Sequence, residues 1–197
     1  FIIERTGDRM DKYITTPITE EKTAELHAGD YVYISGVIYS ARDAAHKRMY
    51  DTLIENENDE SKLPIKLEGN VIYYLGPTPA REGQVIGSAG PTTSSRMDKY
   101  TPLILSKGLN GMIGKGKRSQ AVIDAIVENK AVYFAAVGGA GALLSKCIKK
   151  SEVVAYDDLG TEAIRKLRVE NFPVIVVIDN QGNNLYETAV ENFKKLK

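Results

Sequence analysis

The sequence predicts a single α/β domain with a mixed sheet and flanking helices, and three observations carry that prediction. Short runs rich in β-branched and aromatic residues alternate along the chain with stretches of helical composition. No Pro/Gly/Ser-rich linker or low-complexity tract divides them. The 197 residues suffice for a buried core, and a composition 43% hydrophobic and 26% charged is that of an ordinary globular chain.

Taken in order, Asp30 to Tyr39 reads as a strand, and Ser40 as the cap of a helix running to about Ile54. A solvated loop, 55–62, precedes a strand from Val71 to Leu75 that Gly76-Pro77-Thr78-Pro79 stops. A short strand is expected near Gln84 to Ile86. Pro102 is tolerated at a helix start but not inside one, which predicts two short helical pieces, the second spanning Pro102 to Lys107. Gly108 closes it. Met112-Ile113 is a brief strand, and Ser119 caps a helix to about Asn129. A strand from Ala131 to Val137, a helix from Gly139 to Lys149 and a strand from Val153 to Tyr156 follow. The expected remainder is a helix from Thr161 to Val169, a strand from Pro173 to Asp179, and a turn at Gly182 into Asn184 to Glu187. Arg9-Met-Asp-Lys-Tyr13 and Arg96-Met-Asp-Lys-Tyr100 are identical, but their flanks share nothing, so they do not mark a structural repeat.

Composition narrows the function. Lys plus Arg equals Asp plus Glu at 26 each, so no excess charge points to nucleic acid as a partner. No apolar run approaches the roughly 20 residues that span a bilayer, and no membrane partner is expected. The single cysteine, Cys147, excludes an internal disulfide, cannot hold a metal cluster alone, and fits a cytoplasmic setting. Residues 1–15 read as an N-terminal extension or leader, without the features of a signal peptide, and 16–197 as the domain itself.

Three basic clusters stand at expected strand-to-helix junctions. In Gly87 to Pro102, glycine and proline force a turn, hydroxyl residues including Thr92 and Thr93 follow, and Arg96 stands behind them. Free backbone N–H groups, hydroxyls and a fixed cation then converge as an anion pocket at a helix start. The plainer reading is an N-cap cluster. In Ser40 to Arg48, Arg42 occupies the first helical turn, where a cation opposes the macrodipole and calls for an anion, either Asp43 or a ligand. His46 shares its helix face, as a structural histidine or a contact. The third cluster, Gly114-Lys-Gly-Lys-Arg-Ser119, is either a ligand-approaching glycine loop or a solvated turn. If the three junctions share one sheet edge, Arg42, Arg96 and Lys115 or Lys117 surround a small doubly charged anion, such as a di- or tricarboxylate or a phosphate.

Two nucleotide readings fit poorly, the second being kept as the weakest alternative, a dehydrogenase based on Gly139. Gly111 to Arg118 fits the start of a P-loop but offers Arg118 where the magnesium-binding hydroxyl is required. Gly139-Ala-Gly begins a dinucleotide fingerprint, with Asp157-Asp158 near the ribose position, but Leu144 stands where a small residue is needed.

As a set, Ser35 to Arg48, Gly87 to Tyr100, Met112 to Ser119, Gly138-Gly139 and Asp158-Leu-Gly-Thr-Glu-Ala163 resemble the beta subunit of the class I fumarate hydratase and L(+)-tartrate dehydratase family. The resemblance runs from about Thr16 to the C-terminus. It implies a swivelling β/β/α fold and an iron–sulfur hydro-lyase in which a separate alpha subunit ligates a [4Fe–4S] cluster by three cysteines. No metal is then held by this chain alone. The resemblance places Arg42, Arg96 and Lys115 on the carboxylates of a fumarate, malate or tartrate substrate, and makes Thr92 the proton carrier. Asp43 and His46 are alternative carriers, with Thr93 a secondary candidate. A non-catalytic dicarboxylate-binding module is the reading from another class.

Overall fold

The computed structural model describes residues 10–137 and 141–195. The elements are β1 (Lys12–Thr15), α1 (Glu20–Ala24), β2 (Tyr31–Ser40), α2 (Asp43–Glu55), β3 (Val71–Tyr73), α3 (Thr101–Leu105), β4 (Gly111–Gly114), α4 (Gln120–Glu128), β5 (Val132–Ala136), α5 (Gly141–Lys146), β6 (Ile148–Ala155), β7 (Ile164–Ile178) and α6 (Leu185–Lys195). Tight 3-10 turns cover Glu60–Lys62, Ser94–Met97 and Asp157–Glu162. The architecture is the expected α/β arrangement, with a mixed sheet and flanking helices.

Strand order is β1-β2-β3-β4-β5-β7-β6, and β2 also pairs with β7, so β2, β3, β4, β5 and β7 close into a ring. Its first four members run parallel, and β7 runs antiparallel to both β5 and β2. Side-chain alternation along these strands splits the core into two layers. Ile72, Tyr74, Met112, Tyr133 and Ile175 pack with Met49 of α2, Ile104 of α3 and Val122 and Ile126 of α4. Val71, Tyr73, Ile113, Phe134 and Val174 pack instead with Ile34, Ile38, Leu167 and Phe172. Strands β3 and β4 are buried on both faces, as parallel strands usually are.

The sheet begins at Lys12, within the stretch 1–15 set apart in the sequence, and β1 pairs in parallel with β2. Three expectations are corrected. The helix foreseen from Thr161 to Val169 is a 3-10 turn to Glu162 followed by the first half of β7. Leu167 and Val169 are buried while Lys166 and Arg168 are exposed, a period of two, and β2 and β6 take up the backbone on either edge. The helix foreseen to reach Lys149 stops at Lys146, and its expected start at Gly139 lies outside the described residues; β6 begins at Ile148. No strand forms at Gln84 to Ile86, because Thr78 and Ser88 close that stretch into a loop: Ser88 N–H donates to Thr78 Oγ1 and Thr78 N–H to the Ser88 carbonyl. The turn at Gly182 forms as expected and leads into α6, with Asn184 Oδ1 accepting the Tyr186 amide. The two identical pentamers also part company: Lys12-Tyr13 lies in β1, whereas Arg96-Met97 ends a 3-10 turn.

The strand assignment of 164–169 predicts unequal costs along it. Leu167→Ala should destabilise by about 2–5 kcal/mol, as for a buried leucine, and Lys166→Ala by no more than about 0.5 kcal/mol. Urea denaturation measures both; similar losses at the two positions would contradict the strand.

Candidate functional site

Because β2, β3 and β4 run parallel, their C-terminal ends lie together, where open α/β sheets place ligands. β2 leads into Ser40–Asp43, β3 into Tyr74–Gly76 and β4 into Lys115. The Thr92–Arg96 segment is sewn onto the last two. Thr92 N–H donates to the Tyr74 carbonyl at 2.7 Å and Ser94 N–H to the Lys115 carbonyl at 2.9 Å. Thr93 bridges to Lys115 in the parallel sense, and Lys115 N–H returns a bond to Ser94 Oγ at 3.0 Å. This seam requires glycine at position 114, where any Cβ would collide with Ser94 Oγ.

The three basic clusters therefore meet at one end of the sheet, as the sequence anticipated, but not as a helix-start anion pocket. The amides of Thr92 and Ser94 are committed to neighbouring strands. Arg42 and Thr92 are half-buried at this end, while Thr93, Arg96 and Lys115 are exposed.

The cations are held in a definite pattern. Arg96 Nε donates to Asp43 Oδ1 at 2.8 Å, with the Arg96 side chain 55% exposed. Arg42, at the start of α2, is balanced not by Asp43 but by Glu162, whose Oε1 lies 3.3 Å from Arg42 Nε. The same oxygen accepts the Ala44 amide at 3.2 Å, satisfying one of the free N–H groups of the first turn. Ser40 Oγ, Arg42 Nε, Asp43 Oδ2 and Arg165 Nε are all buried without a hydrogen-bond partner. Ser40 and Arg165 face each other in the β2–β7 register, so these orphaned groups gather at one end of β2.

Glu162 and Arg165 were missed in the sequence as site neighbours. The helix expected over 161–169 concealed both; reading Leu167 and Val169 as alternating would have placed Arg165 on a strand at this sheet end.

His46 is only 1% exposed, its ring edge-on to Tyr74 at 5.2 Å. Its Nδ1 lies 2.9 Å from the Arg42 carbonyl, which can only accept, so Nδ1 carries the proton. Burial lowers its pKa to about 4, with nearby Arg118 adding to the effect against the opposing Arg42 carbonyl and Asp43. It is neutral at pH 7.

Of the third cluster, Lys115 is joined to the site through its backbone, whereas Lys117 lines a separate recess with Tyr186 and Glu191. Arg118 is no solvated cation: its side chain is 0% exposed. Arg118 Nε donates to Asp98 Oδ1 at 2.7 Å, and Nη2 donates to Thr101 Oγ1 at 2.9 Å and Tyr74 Oη at 3.2 Å. Its guanidinium lies 4.9 Å from the Tyr133 ring centre.

A metal cluster does not suit these donors. The chain has one cysteine, where an iron–sulfur cluster needs several thiolates. Among the described residues, no group of three or more His, Cys, Asp or Glu side chains could hold a metal ion. Cys147 packs beside the second core layer, and burial pushes its thiol pKa up. Of the dinucleotide reading's acids, Asp158 is taken up in a two-pronged ion pair with Arg48 at 2.8 Å per contact. That reading's Gly139 lies outside the described residues. Among the described residues, no helix is long and apolar enough to cross a membrane.

Residues 5–189 match the family described as Fumarase C-terminus. The chain is 37% identical over 182 residues to a Methanocaldococcus jannaschii protein named as a candidate L(+)-tartrate dehydratase subunit beta, covering 89% of this chain and 91% of that one. It is 36% identical over 190 residues to fumarate hydratase 2 of Leishmania major, covering 95% of this chain but 33% of the relative. With the aerobic class I fumarate hydratase of Salmonella typhimurium, identity is 34% over 185 residues, covering 92% and 31%. The chain thus spans about a third of the fumarate hydratases it matches. It belongs to the fumarase C-terminus family.

The buried neutral His46 sets a pH dependence. Its folded pKa, about 4, lies below the ordinary 6.5, so the unfolded chain binds the proton more readily between those values. The contribution of His46 to stability is full above pH 6.5 and is lost as pH falls toward 4, by about 2–3 kcal/mol. Denaturation titrations of wild type and His46→Gln should show this part of the slope only in the wild type; equal slopes would contradict the assignment.

Proposed function

We propose that this chain is the beta-type half of an iron–sulfur hydro-lyase that reversibly hydrates fumarate to malate together with a cluster-bearing alpha chain. The observation that carries the reading is the meeting of Arg42, Thr92, Arg96 and Lys115 at one sheet end, in a chain of the fumarase C-terminus family. A near-full-length match to a subunit named beta supports the two-chain form.

In this reading two separated arginines take the two carboxylates of a planar dicarboxylate. A guanidinium offers a fork for each, and Lys115 adds a movable point charge. The pairing of Arg96 with Asp43 fixes one fork, and that of Arg42 with Glu162 fixes the other. Hydration places a hydroxyl on one alkene carbon and a proton on its neighbour. Thr92 is the group assigned to carry that proton, delivering it in hydration and removing it in the reverse direction. A threonine hydroxyl is a poor base unaided, so the surrounding cations and a carboxylate from the partner shift its acidity. Asp43 and His46 serve as supports here: one holds Arg96, and the other donates its Nδ1 proton to the Arg42 carbonyl. Thr93 spaces Thr92 from Ser94 on the seam with β4.

The partner brings the [4Fe–4S] cluster, which supplies Lewis acidity at the substrate hydroxyl. The single cysteine of this chain supports that division and a cytoplasmic setting. A second reading, L(+)-tartrate dehydration, is favoured by the 91% coverage of the relative of that name. Assays of the complex on malate and on tartrate separate the two by which substrate gives the higher kcat/KM.

Thr92→Ala in the complex should leave assembly and iron content unchanged and lower turnover by about 100-fold or more, within the range for a lost general acid–base group. Thr92→Ser, which keeps the hydroxyl, should retain most of the turnover. Turnover near wild type in the alanine variant would remove Thr92 from the mechanism.

A further inference from the structure

Arg42 has an unusual setting for a cation offered to a ligand. It stands at the start of a thirteen-residue helix, where the macrodipole disfavours it. Its Nε is buried and lacks a hydrogen bond of ordinary geometry, so the carboxylate at 3.3 Å compensates it mainly through charge. Its guanidinium lies against Gly76: a Cβ there would stand 2.5 Å from Cζ and 2.9 Å from Nη1. Gly76 needs no left-handed backbone, so its missing side chain matters for space alone. The arginine is therefore confined between a bare backbone and one carboxylate.

That carboxylate is itself fixed. Glu162 ends the 3-10 turn Asp157–Glu162, and the turn is fastened to α2 at two points. Arg48 grips Asp158 through both Nη atoms at 2.8 Å and lies 4.8 Å from the Tyr156 ring centre. Four residues before Arg48, in the first turn of α2, the Ala44 amide donates to Glu162 Oε1, which also faces Arg42 just before the helix. The pairing uses the Nε edge of Arg42, leaving the Nη edge of the fork for another carboxylate.

We infer that Glu162 is a positioning residue that aims Arg42 at a substrate carboxylate, with Gly76 providing the space in which the guanidinium lies. This rests on the reading of Arg42 as a dicarboxylate contact. Neither residue touches the reacting carbons; Glu162 acts through Arg42, and Gly76 by what it lacks. Orientation of a binding group is lost without loss of the group itself, so the effect falls on substrate affinity.

The test uses the complex of this chain with its cluster-bearing partner. Glu162→Gln retains an oxygen acceptor for Ala44 but removes the charge facing Arg42. It should raise KM for the dicarboxylate about tenfold, with kcat within about threefold and an unchanged melting temperature. In an Arg42→Lys background, where no guanidinium remains to aim, the same change should add less than twofold. An unchanged KM, or the same tenfold rise added in the lysine background, would overturn the proposal. Gly76→Ala crowds the guanidinium without touching the carboxylate and should reproduce the rise in KM. It decides the matter if the Glu162 variant folds poorly, an unchanged KM counting against the proposal. A wild-type complex with an intact cluster but no hydro-lyase activity would instead strike the functional reading, which these variants do not address.

Discussion

A fully buried guanidinium organises this end of the molecule. Removing Arg118 from water is costly, so every face of it must be met by a partner. Asp98 takes Nε, Thr101 and Tyr74 take Nη2, Met112 Sδ lies 3.6 Å from Nη1, and the Tyr133 ring stands beside the group. Each partner belongs to a different piece of chain: the turn before α3, α3 itself, the residue just past β3, β4, and β5. The other oxygen of Asp98 accepts the Ser119 amide at 2.7 Å, tying in the start of α4. Burial alone would lower the pKa of Arg118, but Tyr74, Asp98 and Tyr133 outweigh it and hold the charge firmly in place. One cation thereby fixes the loop carrying Lys115 to the segment carrying Thr92 and Arg96.

The candidate ligand contacts are arranged on that frame by pairs of a different kind. Arg96–Asp43 and Arg42–Glu162 are partly open to water, and such pairs contribute little to stability, about 0–1 kcal/mol. Their value lies in direction. Each engages its arginine through Nε and leaves the outer edge of the fork available. The unpartnered Ser40 Oγ, Asp43 Oδ2 and Arg165 Nε beside them are buried polar groups of the sort that functional sites retain at some cost in stability.

Much of this was legible in the residues because local chemistry decided it. Ser119 accepts the Val122 amide as a cap, Pro102 falls at the start of α3, and the β-branched runs of β2 and β5 are strands. The junction placement of Arg42, Arg96 and Lys115 followed from strand–helix alternation alone. What was not legible depended on partners distant in sequence. Residues 164–169 carry enough charged side chains to resemble an amphipathic helix, and only β2 and β6 on either edge make them a strand. Arg118 looked like one more surface cation in a basic loop, since nothing local announces Asp98, twenty residues away, as its partner. Glu162 was hidden for the same reason: its contacts with Arg42 and Ala44 span well over a hundred residues.

On the proposed reading this chain is half of a catalytic site: it holds the dicarboxylate and carries the proton, while the metal comes from a partner chain. The most direct measurement is fumarate hydration under anaerobic conditions by this chain alone, by the cluster-bearing chain alone, and by the two co-expressed. Malate is expected only from the co-expressed complex. A complex with an intact cluster that hydrates neither fumarate nor forms it from malate, and leaves tartrate unchanged, would contradict it.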